Sequence, residues 1–100
     1  PAIAVDALPR AVPGDAVTIA ATARHPVRVR DLVIATRPVG PAHIEDKVFF
    51  QANPARDGDG AGAMSVSARV PLARGGTQIT ITARDGDGVA ATREVLVYRE

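Results

Sequence analysis

Ser65, Ser67 and Lys47 are the residues with which a serine–lysine pair could cleave a peptide bond. That chemistry needs a hydroxyl nucleophile and a neutral lysine within hydrogen-bond reach. Alternation of residue type puts both serines on the outward face of one expected strand, and Lys47, the only lysine, on another. All three read as solvated surface residues, and no catalytic residue is assigned. His25 and His43 are the only histidines, and both sit in turn or loop sequence near proline. Neither a third histidine nor a cysteine is present to complete a zinc site. Glu45 and Asp46 follow His43 along the same loop, where a weak adventitious metal site could form; surface loop residues are the preferred reading. No metal site and no cofactor is assigned.

Asp57–Gly60 and Asp85–Gly88 both read Asp-Gly-Asp-Gly and invite calcium. An EF-hand loop needs a ligand at its fifth position and a bidentate Glu at its twelfth. Counted from Asp57 these are Ala61 and Ala68, and from Asp85 they are Val89 and Leu96, so neither loop qualifies. Residues of different loops could still meet around calcium at one pole of a sandwich. Turn chemistry accounts for both segments, with Gly accepting positive φ and Asp bonding its own backbone.

The elements that must position these residues are strands. Val17, Ile19 and Ala21 alternate with Thr18, Ala20 and Thr22; Met64, Val66, Ala68 and Val70 alternate with Ser65, Ser67 and Arg69; Ile79, Ile81 and Ala83 alternate with Gln78, Thr80 and Thr82. Ile3 and Val5 form a short first strand, and Val27 and Val29 alternate with Arg28 and Arg30. The continuous run Leu32-Val33-Ile34-Ala35 predicts a bulge or a strand buried on both faces. Residues 37–46 read as a loop, residues 54–62 as the most flexible segment, and Asp85–Gly88 as the hairpin turn leading into residues 89–98. No capped amphipathic helix of useful length is present. About seven antiparallel strands in two sheets, an immunoglobulin-like β-sandwich, is the fold expected.

Composition agrees. The 100 residues are 46% hydrophobic, rich in Ala and Val, with three aromatics, Phe49, Phe50 and Tyr98. This suits one domain over residues 1–100 with a β-branched core. The net charge is +1 and the arginines are scattered, so neither nucleic acid nor membrane insertion is implied. The chain starts at Pro1 and both ends run into strand-like sequence, as expected of a domain excised from a longer protein; removal of an initiator Met would look the same.

Val70-Pro71-Leu72-Ala73-Arg74-Gly75 followed by residues 79–85 resembles the final hairpin of bacterial Ig-like modules. Together with Lys47-Val48-Phe49-Phe50, Asn53 and Val29–Leu32, it resembles the C-terminal β-domain of bacterial carboxy-terminal processing serine peptidases. The resemblance implies a non-catalytic accessory domain in the periplasm or cell envelope, with the parent's catalytic residues outside this chain. Its partners would be other domains of the parent or a separate protein. The alternatives are an adhesion or carbohydrate-binding module and an inert spacer. The family favours Tyr at the position of Phe50, which places Phe49 in the core and Phe50 outside as a candidate docking residue.

Overall fold

The computed structural model describes residues 2–6, 8, 10–40, 45–55, 58 and 60–100. Its strands are β1 (Ala2–Val5), β2 (Ala11–Val12), β3 (Ala16–Arg24), β4 (Val29–Pro38), β5 (Asp46–Ala52), β6 (Ala63–Pro71), β7 (Gly75–Asp85) and β8 (Ala90–Arg99). They form a three-stranded sheet, β1-β3-β6, and a five-stranded sheet, β2-β8-β7-β4-β5. The all-β, two-sheet expectation holds. Among the described residues eight strands replace about seven, and β2 pairs parallel to β8 where every pair was expected to be antiparallel. Two residues are too short a segment to display alternation, so β2 left no periodic signal. No helix among the described residues is long and apolar enough to cross a membrane.

The alternating residues do what their period requires. Ile19, Leu32, Ile34, Val70, Ile79, Ile81 and Val97 are fully buried between the sheets, while Thr80, Thr82 and Arg84 of β7 face outward. Val27 departs from expectation. It lies before β4 and is 75% exposed, because its amide is drawn into a turn by the His25 ring. The bulge expected within residues 32–35 lies instead on the strand paired with them. Ile34 pairs with Phe49 but Ala35 pairs with Lys47, so Val48 is an extra residue on β5. Strand β4 also extends through Pro38, which leaves a shorter loop before β5 than the sequence suggested.

Asn53 closes the end of β5. Its backbone N–H donates to the Arg30 carbonyl at 2.8 Å, and its side-chain amide donates to the Val29 and Ala61 carbonyls at 2.9 and 3.3 Å. The side-chain oxygen accepts from the Ala55 N–H at 3.1 Å. One buried amide thereby ties β4, β5 and the approach to β6 together.

Candidate functional site

The site is built on the outer face of the five-stranded sheet at its β5 edge. Cross-strand register sets its rows. Phe50, Val33, Thr82 and Thr92 lie side by side, as do Ala52, Asp31, Arg84 and Ala90. Phe49 turns inward and packs partly buried against the core, whereas Phe50 is 58% exposed. The two residues therefore occupy opposite faces, as the pleat demands. Around Phe50 lies an open depression of about 540 Å³, lined by Val33, Glu45, Lys47, Phe50, Thr82 and Arg84. Its lining combines the apolar Val33 and Phe50 with polar and charged groups. Ser65 and Ser67 lie on β6 in the other sheet, so the structure does not bring them to Lys47.

The Arg84 guanidinium is fixed by Asp31. Its Nε donates to Asp31 Oδ1 at 2.7 Å and its Nη2 to Oδ2 at 2.6 Å, a two-pronged pair. Arg30 Nε adds a third contact to Oδ2 at 3.3 Å. The hydrogen bonds from Arg84 outweigh the opposing effect of burial and hold the Asp31 carboxyl below its usual range, with the charges of Arg84 and Arg30 acting in the same direction. Arg84 is thus a positioned, largely neutralised wall of the depression. Neither residue stood out in the sequence, because only the strand register places positions 31 and 84 together.

This pair carries a stability prediction with a definite sign. A carboxyl whose folded pKa is depressed contributes stability above its unfolded value of about 3.9, and loses it as pH falls through the folded pKa. The thermal midpoint should therefore drop on acidification below about pH 4. Asp31→Asn should lower the midpoint at neutral pH and flatten the acid drop. An acid drop in Asp31→Asn as steep as in the unsubstituted protein would show that this pair is not its source.

Asp85 supplies a second polar centre, at the pole of the sandwich. Its Oδ1 accepts from the Asp87 and Val89 amides at 2.9 and 3.0 Å, and its Oδ2 lies 3.4 Å from His25 Nε2. Burial pushes this carboxyl up, but the two amides and His25 bring it below the usual range. The carboxylate is engaged by donors, the turn chemistry expected of Asp85–Gly88. Among the described residues no three His, Cys, Asp or Glu converge as a metal site. His43, Asp57 and Asp59 lie outside the described residues.

No protein-family model and no curated protein matches the chain. Among solved structures, a superoxide reductase (neelaredoxin) from Ignicoccus hospitalis is similar, with a TM-score of 0.69 over 98% of this chain and 79% of that one, at 10% identity. At that identity the likeness is one of fold. It overturns the relation to carboxy-terminal processing peptidases, and with it the accessory-domain role and the peptidase-associated description. The segments behind that relation (residues 29–32, 47–50, 70–75 and 79–85, with Asn53) report strands and tight turns, which sandwiches of many kinds share. The alternatives, an adhesion or carbohydrate-binding module and an inert spacer, gain no support either. The expectation of a non-enzyme is corrected on the same finding, since this architecture carries a reductase. Reducing superoxide requires a group that gives up single electrons, commonly a transition metal held by His, Cys or carboxylates. This chain has no Cys, and His25 already engages both ring nitrogens. The described residues do not fit such a centre, and no electron-transfer step is derived for them.

Proposed function

We propose that this domain recognises an extended polypeptide segment of another protein, which adds as a strand to the free edge of β5 and lays a side chain over Phe50. The observation that carries this reading is the exposed Phe50 at a sheet edge that no described strand pairs. The backbone of β5 supports it. Asn53 bonds to Arg30, so by antiparallel alternation Gln51 and Phe49 bond to β4, while the N–H and C=O groups of Phe50 and Ala52 point away from the sheet. An added strand would pair with those groups, and its alternate side chains would enter the depression. The extra residue at Val48 and the charges of Asp46 and Lys47 blunt the first half of the edge, leaving the second half open. The same bulge argues for a foreign strand over a second copy. Two β5 strands related by a dyad at Phe50 would set Val48 against Ala52 and lose the ladder beyond one residue pair. The strand order, with the N-terminal segment divided between the sheets and β5 continuing the larger one, supports an immunoglobulin-like arrangement.

Selection from a displayed library of random decapeptides tests the proposal. Enriched peptides should carry apolar residues at alternate positions, and binding should be lost in Ala52→Pro. That change removes an outward N–H and leaves the ladder to β4 intact. No enrichment, or undiminished binding by Ala52→Pro, would refute strand addition. A concentration-dependent dimer that Ala52→Pro abolishes would replace the foreign strand with a second copy.

A further inference from the structure

We propose that His25 is a pH-operated latch that fixes the loop of residues 25–28 to the β7–β8 hairpin. The inference is independent of the β5 edge. His25 Nδ1 lies 3.1 Å from the Val27 N–H and 3.0 Å from the Arg28 N–H, and accepts from both. A ring nitrogen facing two donors carries no proton, so the proton resides on Nε2, which lies 3.4 Å from Asp85 Oδ2. Asp85 Oδ1 in turn accepts from the Val89 amide at 3.0 Å. A line of polar contacts thus runs from Val27 through the imidazole and the carboxylate to Val89. Both valines stand at this pole, 75% and 61% exposed, and their backbone amides are tied at the two ends of this line.

The backbone on which the ring is mounted cannot easily shift. The His25 N–H donates to the Gly62 carbonyl at 2.9 Å, and a Cβ at Gly62 would lie 2.7 Å from the His25 carbonyl oxygen. Protonation therefore acts on the ring and its loop. A proton on Nδ1 would face two N–H donors, so both bonds are lost, while the Nε2 contact to Asp85 becomes an ion pair. The charged residues in contact with the ring, among the described residues, are Asp85 of β7, 3.4 Å from Nε2, and Arg28 on its own segment, whose N–H meets Nδ1. Asp85 keeps the cation in place. Acid therefore releases residues 26–28 and leaves the hairpin bonded.

Amide hydrogen exchange, corrected for its intrinsic pH dependence, reads this directly. Between about pH 8 and about pH 5, the range in which histidines titrate, protection of Val27 and Arg28 should fall about tenfold while that of Val89 holds. His25→Asn should abolish the pH dependence, because an Asn oxygen can accept the same two amides and does not titrate. Imidazole nitrogen shifts of the unsubstituted protein provide a readout that needs no variant, and should show Nε2 protonated and Nδ1 bare at about pH 8. Protection that stays flat across the range, protection in His25→Asn that still falls with acid, or a proton on Nδ1 at about pH 8 would each overturn the latch.

Discussion

Ile81→Ala is expected to destabilise the domain by about 3–4 kcal/mol, within the usual range for emptying a buried isoleucine site. Ile81 is fully buried on β7, which is paired on both sides, to β4 opposite Ile34 and to β8 opposite Arg93. A central strand bonded along both edges cannot move in to fill the space its side chain leaves, so the cavity persists. A domain of this size has about 5–15 kcal/mol of stability in total, and the thermal midpoint should fall by about 15 °C or more. Ile81→Val, which removes a single methylene, should cost about 1 kcal/mol. Phe49→Ala provides the contrast. Although the side chain is larger, it is only partly buried on an edge strand, and about 2–3 kcal/mol is expected, below the usual cost of truncating a core Phe. Chemical denaturation of the three variants checks the order. Equal costs at Ile81 and Phe49 would mean that the edge strand is packed as tightly as the centre.

Phe50→Ala should leave the free domain nearly as stable as before, and should weaken peptide binding about tenfold to a hundredfold. The side chain is 58% exposed in the free protein, so its truncation uncovers little core. Covering it with a bound strand would contribute about 1.5–3 kcal/mol, which is the origin of the expected range. Phe50→Tyr should retain most of the affinity, since the ring still packs and its hydroxyl can stay wet. Titration calorimetry with a library-selected peptide gives the comparison. Binding unchanged in Phe50→Ala would remove this residue from the interface.

The strands and the core were legible because alternation is a local signal. Ile19, Ile79 and Ile81 announce their inward face to any reader of residues i and i+2, and Phe50 is turned outward by the same rule applied to Phe49. The site was legible only in part. Phe50 could be singled out, but its neighbours Val33, Thr82 and Arg84 belong to two other strands, and nothing in residue order states which positions lie opposite. The pairing of Asp31 with Arg84 spans 53 residues and rests on register and a shift near Arg30. His25 was visible as a turn residue beside Pro26, whereas its connection to Asp85 depends on the two loops meeting at one pole. The peptidase relation failed for the complementary reason: local turn-and-strand motifs are dictated by sandwich packing and carry little information about lineage.

Strand addition is tested most directly by residue-resolved amide exchange along β5, with and without a selected peptide. The amides of Phe50 and Ala52 point away from β4 and should become protected on binding. Those of Phe49 and Gln51 are already bonded to β4 and should change little. Protection that alternates in this way is the result expected of an added strand. Protection that appears instead on β6 or at the loops, or that ignores the alternation along β5, would contradict it.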